Sequence, residues 1–172
     1  MKELKVDLFN SKKERIKTTI ELSKFNIFIG NDVYNIKTII SKSRREDSVY
    51  GYGDFGSAYC ISEHKNLVYG LVENYSNKDK MAVIHTDSQF VLYAFNNLIF
   101  NYIVKDKMPS DLRDEMTCKD IMIDPKDIRI YQVENGIVTR IQNKDGLIEH
   151  NCFDNEMNII MNDFYKMIDY YA

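Results

Sequence analysis

The residues that could bind a phosphorylated ligand follow the ends of predicted buried strands. The run FNIFI at 25–29 is apolar enough for a central strand; it stops at Gly30, and Lys37 and Thr38 follow within the next predicted helix. A glycine bend, a lysine and a hydroxyl are the groups with which a phosphate loop holds the terminal phosphates and the magnesium of a nucleotide. The segment 30–38 is therefore a candidate nucleotide cradle.

The spacing within this segment departs from that of a working phosphate loop, G-x-x-x-x-G-K-[ST]. Gly30 holds the first glycine, but Asn35 or Ile36 stands in place of the second, and Lys37 arrives one residue late. A shift of one residue turns a helical side chain by about 100°, so we expect Lys37 to miss the phosphates. The alternative is that 30–38 is an ordinary strand-to-helix turn, with Asn31 and Asp32 as turn and N-cap residues.

Two further candidate residues, Glu63 and His85, follow other predicted strands. Glu63 comes after the apolar run 57–61, and a carboxylate at the end of such a strand can activate water beside magnesium. The alternative is that Glu63 only stabilises the helix that it opens, through the helix dipole. His85 ends the strand 81–84, a position where open α/β sheets bind ligands. A histidine there is also explained as a hydrogen-bonded residue of the strand end.

These residues meet only if parallel strands bring them to one edge of a sheet. The periodicity predicts strands and helices in the order β, β, β, α, β, α, β, α, ββ, α, with a polar loop at 41–56 and a hairpin turn at Asn135-Gly136. We expect a single α/β domain over 1–172, with a mixed, largely parallel central sheet, flanking helices and antiparallel hairpins at both ends. Asn96 and Asn97 form helices poorly; either they bond the adjacent connector or they are two solvated residues.

Composition limits the function. No run of about 18 apolar residues and no signal-peptide pattern is present, which predicts a cytoplasmic protein without membrane association. The three cysteines have unrelated spacings, and no metal site or cofactor is predicted. The net charge is −3, so nucleic-acid binding would need a local basic patch. The candidates are Lys12, Lys13 and Arg15 at a predicted turn, and Lys42, Arg44 and Arg45 after a predicted helix; ordinary solvated charges are the favoured alternative.

Residues 83–99, VIHTDSQFVLYAFNNLI, resemble the stretch T-T-H-S-P-x-x-L-x-x-L-N-N-L of the ABC-type AAA ATPases of the recombination, SMC and overcoming-lysogenization-defect group. Ser88, Leu92 and the run 96–99 match this stretch. The hairpin at 121–148 and the terminal helix are similar to the closing elements of that family, and 25–40 lies where its phosphate loop lies. The resemblance implies a truncated P-loop NTPase-like fold.

The chain departs from the family at each hydrolytic element. Ser62 stands in place of the magnesium aspartate, Asp87 stands in place of the switch histidine, and an inserted arm with its L-S-G-G signature helix is missing. The resemblance therefore implies a non-hydrolysing pseudo-ATPase, from a phage or mobile element, that docks on a protein such as a host defence ATPase or on itself.

Three alternatives stay open at this stage. One is a DNA-binding protein similar to the small Csn proteins of type II CRISPR adaptation. Another is an atypical ATPase that uses the five candidate residues Gly30, Lys37, Thr38, Glu63 and His85. The third is a small immunity-like binding protein unrelated to ATPases, which predicts a sheet without a parallel centre.

Overall fold

Strands and helices alternate through the middle of the chain and are preceded by a hairpin. The computed structural model describes residues 2–45, 49–54, 61–76, 80–149 and 151–168. Its elements are β1 (Lys2–Phe9), β2 (Arg15–Leu22), β3 (Phe25–Ile29), α1 (Val33–Ser43), β4 (Val49–Asp54), α2 (Ile61–Ser76), β5 (Met81–His85), α3 (Gln89–Val104), α4 (Ser110–Asp114), a 3-10 turn (Pro125–Asp127), β6 (Ile128–Glu134), β7 (Ile137–Arg140) and α5 (Cys152–Ile168).

The larger sheet has five strands in the order β4-β5-β3-β6-β7, while β1 and β2 form a separate antiparallel pair. β4, β5, β3 and β6 run parallel to one another, and only β7 is antiparallel to its neighbour. The predicted mixed, largely parallel sheet is thus confirmed. The unrelated-protein alternative predicts a sheet without a parallel centre, and that expectation is wrong.

β3 lies at the centre of the sheet, with a hydrophobic core on each of its faces. All five of its residues are buried, as expected for a strand covered on both sides. Phe25, Ile27 and Ile29 face a core formed with α2 and α3. Phe28 faces a second core formed with α1 and the β1–β2 hairpin, where its ring stacks on Tyr131 at 5.5 Å between centroids.

The connections leave the two central strands in opposite directions. The chain passes from β3 across β5 to the edge strand β4, whereas it passes from β5 across β3 to β6. Right-handed crossovers in opposite directions place α1 on one face and α3 on the other. The carboxyl ends of β3 and β5 therefore form a topological switch point, where open α/β sheets bind ligands.

One strand lies elsewhere than predicted. Residues 49–54, within the predicted loop, form β4, and Ile61, the end of the strand predicted at 57–61, is the first residue of α2; residues 55–60 lie outside the described chain. The glycines of VYGYGD favoured a loop, but pairing with β5 outweighs this local preference. No helix among the described residues combines the length and the apolar character that a bilayer-spanning segment requires.

Candidate functional site

The bend after β3 requires glycine because it packs against the chain's own backbone. Gly30 has φ +117°, and a Cβ placed on it would lie 2.4 Å from the carbonyl oxygen of Val133 in β6. A side chain is thus excluded both by the backbone conformation and by the contact. The glycine that the sequence offered for phosphate approach is explained by the packing of the bend on β6.

The carboxylate of Asp32 occupies the amino-terminal end of α1. As the predicted N-cap, it accepts a hydrogen bond through Oδ1 from the backbone N–H of Asn35 at 3.3 Å. Its Oδ2 accepts two more, from Nδ2 of Asn35 at 2.7 Å and from the backbone N–H of Gly136 at 2.8 Å. A helix N-terminus is where a phosphate group binds in a nucleotide cradle; here an aspartate of the same chain holds that position.

Asn35, at the position of the second glycine of a phosphate loop, anchors α1 to the hairpin. It is 1% exposed; its Oδ1 accepts from the backbone N–H of Phe9 at 3.0 Å, and its Nδ2 donates to the Phe9 carbonyl at 2.7 Å. The amide thus satisfies both backbone groups of the last residue of β1. A glycine at 35 would lose all of these bonds, so the departure from the phosphate-loop pattern has a structural cause.

Lys37 and Thr38 do not face the bend. Lys37 is exposed on α1, and the hydroxyl of the half-buried Thr38 donates to the carbonyl of Tyr34 at 3.0 Å within the same helix. Neither residue belongs to the described lining of the cavity beside the bend. That Lys37 would miss the phosphates of a bound nucleotide stays a prediction.

A cavity of about 750 Å³ lies between three turns: the β1–β2 turn, the β3–α1 turn and the β6–β7 turn. Its polar lining includes Lys13, Asp32, Glu134 and Asn135. Exposed apolar side chains line the cavity or lie on the adjoining ends of α1 and β7; Tyr34 is the most open of them, at 68% exposed. We call this set the turn-edge surface; it consists of Phe9, Val33, Tyr34 and Ile137.

Glu63 and His85 lie at the same end of the sheet as the bend, on separate elements. Glu63 is exposed in the first turn of α2, and half-buried His85 ends β5. The backbone of His85 is in register with Phe28 of β3 on one side and with Asp54 of β4 on the other. A strand-end aspartate thus does exist beside His85, at residue 54 and not at 62. The sequence missed it because 41–56 was predicted to be a loop.

A buried serine–histidine pair lies behind this edge and was not predicted. The Oγ of Ser88 lies 2.9 Å from Nδ1 of His64, and both residues are at least nine-tenths buried. Ser88 holds the N-cap position of α3, but its hydroxyl turns to His64 and makes no cap bond. Nε2 of His64 is buried with no hydrogen-bond partner among the described residues. A polar pair of distant residues leaves no pattern in the sequence.

One residue of each basic cluster, Arg15 and Lys42, lies close enough to Asp7 to act on its carboxylate. Arg15 forms an ion pair with Asp7, and its hydrogen bond is the main reason why the pKa of Asp7 lies below its usual value; the charges of Lys42 and Lys17 act in the same direction. Residues 1–45 carry 11 lysines and arginines against five acidic residues, a net charge of +6. Residues 46–172 carry 12 against 21, a net charge of −9. The molecule is therefore electrically polarised.

The described residues offer no metal centre, since no group of three or more histidine, cysteine, aspartate or glutamate side chains among them is placed to hold an ion. Comparisons with models of protein families, with curated proteins and with solved structures found no match to this chain.

Proposed function

We propose that this protein is a non-hydrolysing binding protein, built on a framework similar to that of the ABC-type ATPases, that docks on a partner protein through the turn-edge surface. The observation that carries the proposal is the position of Asp32 at the start of α1. Its carboxylate accepts hydrogen bonds from backbone N–H groups that a phosphate would need. Its negative charge would also repel a phosphate bound at the same place.

The arrangement of the sheet supports the relationship to an ATPase framework. The strand that ends at Gly30 is central, and its parallel neighbour ends at His85. The two segments that resemble the family's phosphate-loop and switch segments, 25–40 and 83–99, thus contain the ends of adjacent strands. In this proposal the framework retains both segments, but the carboxylate of Asp32 occupies the bend after β3, and the fold serves as a scaffold for docking.

The turn-edge surface suits a protein partner because it combines apolar side chains with a few polar groups. Phe9 and Tyr34 present aromatic rings, a residue type enriched at interfaces, and Lys13 and Glu134 lie in the cavity between them. In this proposal the partner is a protein such as a host defence ATPase, and the chain comes from a phage or mobile element.

Calorimetric titration with ATP and magnesium tests the loss of nucleotide binding. We expect no heat of binding and no change in melting temperature up to millimolar ATP. Micromolar binding would overturn this part of the proposal. The docking part is tested by comparing Tyr34→Glu with Leu112→Glu, an exposed apolar residue on α4, for binding to a purified candidate ATPase. We expect Tyr34→Glu alone to weaken binding tenfold or more; equal effects would contradict the turn-edge assignment.

Nucleic-acid binding is the second candidate, and the charge polarisation favours it. The candidate contacts Lys12, Lys13, Lys42, Arg44 and Arg45 are exposed, and so is Arg15, which pairs with Asp7. In this alternative they contact phosphates, and the affinity falls steeply with salt. A gel shift should then be lost in the triple variant Lys42→Glu, Arg44→Glu, Arg45→Glu but kept in the matched triple variant Lys107→Glu, Lys126→Glu, Lys144→Glu. Absence of any shift at low salt would exclude this candidate.

An atypical ATPase is the third candidate, favoured by the register of Asp54 beside His85. It would use Gly30, Lys37, Thr38, Glu63 and His85, with Asp54 as the strand-end carboxylate. Any phosphate release by the pure protein should then fall at least tenfold in both Lys37→Ala and Asp54→Asn. Release that survives both substitutions would belong to a contaminant.

A further inference from the structure

The outer face of α3 is uncharged and aromatic although it is open to solvent. The helix QFVLYAFNNLIFNYIV contains no charged residue. Phe90, Tyr93 and Phe100 are 47%, 49% and 51% exposed, and with the exposed Asn97 they follow one another at helical spacing within an arc of about 80°. A helix that is apolar on all sides is normally buried. We call these four residues the α3 ridge.

Two clefts flank the α3 ridge. One, of about 420 Å³, lies towards the α3–α4 connector and is lined by Asn97 and Phe100; the other, of about 540 Å³, lies towards the start of α5 and is lined by Tyr93 and Asn96. A ridge of side chains between two grooves is the surface against which another helix packs. The α3 ridge is therefore shaped to accept an amphipathic helix.

The chain supplies such a helix in α5. Its start is fixed to the body: Cys152 and Phe153 pack against the main core, and the backbone N–H of Cys152 donates to Oε1 of Gln132 at 2.8 Å. Beyond it, all four side chains from 157 to 160 are exposed. Four consecutive positions cover about 300° of a helix, so α5 stands clear of its own body here. Met157 and Ile160 share an apolar stripe that the sequence continues at Phe164 and Met167.

We propose that α5 of one copy of this chain packs on the α3 ridge of a second copy, and reciprocally, in a two-fold symmetric dimer. The first turn of α5 is held next to its own α3, where Nε2 of Gln89 lies 3.4 Å from Oδ1 of Asp154. Beyond that turn the side chains of 157–160 and those of the ridge are exposed, so α5 does not cover its own ridge and is available to the ridge of a neighbour. In this reciprocal arrangement the α3 ridge and the exposed part of α5 are covered in both copies, and no unpaired surface remains to bind a third copy.

The exposed apolar area is of the order that a dimer needs. The five half-exposed side chains Phe90, Tyr93, Phe100, Met157 and Ile160 each present roughly 80–100 Å². A symmetric pair that covers them buries about 900 Å² from these side chains alone, close to the roughly 1,000 Å² that marks a specific interface. Because α3 carries no charge, the ridge itself places no charge in the contact. The surface lies on the sheet face opposite α1, so this inference does not depend on the proposed function.

Sedimentation equilibrium of the purified chain between 1 and 50 µM tests the dimer. We expect a dimer for the unaltered chain and a monomer for both Phe100→Glu, on the α3 ridge, and Ile160→Glu, on α5. Ile137→Glu, an equally exposed apolar residue on β7, should leave the dimer intact. A monomeric unaltered chain, or a dimer that survives both substitutions, overturns the proposal.

Mixing the two monomeric variants distinguishes exchange of α5 from other contacts. A mixed pair keeps one intact contact, between the unaltered α5 of the Phe100→Glu chain and the unaltered ridge of the Ile160→Glu chain. We therefore expect the mixture to form heterodimers, more weakly than the unaltered chain. Failure of the mixture to associate at 50 µM would overturn the exchange. Both substitutions are at exposed sites, so unchanged circular dichroism will verify that each variant is folded.

Discussion

The carboxylate of Asp32 and the backbone N–H of Gly136 are joined by a hydrogen bond of 2.8 Å, although 104 residues separate them in sequence. The same carboxylate caps α1 through Asn35, and Asn35 in turn holds both backbone groups of Phe9. Three turns that are distant along the chain are thereby fixed around one cavity. The geometry of the candidate site depends on this small polar cluster.

Asp32→Ala should lower the free energy of unfolding by about 2 kcal/mol. Loss of an N-cap side chain costs about 1 kcal/mol, and the part-buried N–H of Gly136 loses its acceptor, at a cost of about 1 kcal/mol or more. Urea denaturation followed by circular dichroism measures the change. Asp145→Ala, which alters an exposed carboxylate in a surface turn, should stay within about 0.5 kcal/mol of the unaltered chain. Similar values for the two variants would mean that water replaces the bonds of Asp32.

Two glycine substitutions should act in opposite directions. Gly30→Ala forces a Cβ against the Val133 carbonyl at a positive φ, and we expect a loss of about 2–4 kcal/mol. Gly70→Ala in α2 meets no atom within 4 Å, so the higher helix propensity of alanine should stabilise the protein by about 0.5–1 kcal/mol. Thermal and urea denaturation of the two variants side by side test the pair. A stable Gly30→Ala protein would show that the bend can rearrange.

Asn101→Ala should destabilise the connector that follows α3. The buried amide of Asn101 donates to the carbonyls of Cys118 and Ile121 at 2.7 and 2.9 Å. Its removal takes a donor from each; the Cys118 carbonyl still accepts from the backbone N–H of Ile121 at 3.0 Å, so we expect a cost of about 1–3 kcal/mol. Asn97→Ala, at an exposed position one turn earlier on the same helix, is the matched control and should change stability by less than about 0.5 kcal/mol. Equal effects at 97 and 101 would point to helix propensity as the cause.

The stabilising effect of Asp124 should disappear in acid. The backbone N–H of Lys126 donates to its carboxylate at 2.9 Å and, with the hydroxyl of Tyr102, lowers the pKa of Asp124. A carboxyl group whose pKa is lower in the folded state contributes stability above its unfolded pKa of about 3.9, and this is lost as the pH falls through the folded value. The stability difference between the unaltered chain and Asp124→Asn should thus be constant from pH 7 to 5 and shrink below pH 4. A difference that persists to pH 2.5 would exclude the carboxylate charge as its source.

Local patterns predicted much of the fold. Alternating residues gave β1 and β2, a continuous apolar run gave β3, and the Asn135-Gly136 pair gave the β6–β7 turn, where both residues take positive φ angles. Neither alternative for the Asn96-Asn97 pair holds for both residues: Oδ1 of Asn96 accepts from the backbone N–H of Ile148 at 2.9 Å, before α5 and not in the connector that follows α3, whereas Asn97 is exposed.

The features that the sequence did not predict depend on contacts between distant residues. β4 forms because a glycine-rich segment finds the edge of β5, and glycine content argues for a loop until that neighbour is known. The role of Asn35 depends on Phe9, and that of His64 on Ser88; neither pairing has a spacing rule. For the candidate site, the sequence located the glycine bend and the Asp32 cap, but the cavity appears only when three turns are assembled.

The turn at Asn135-Gly136 also affects the order in which parts of the chain fold during synthesis. Oδ1 of Asn135 accepts from the backbone N–H of Ser11 at 2.6 Å, and Gly136 packs against Phe9 closely enough that a Cβ would lie 3.0 Å from its backbone. The β1–β2 hairpin therefore acquires its last anchors only after residues 135 and 136 have left the ribosome. Until then the β1–β2 turn lacks its contacts with the β6–β7 turn, and the cavity between the turns is not yet formed.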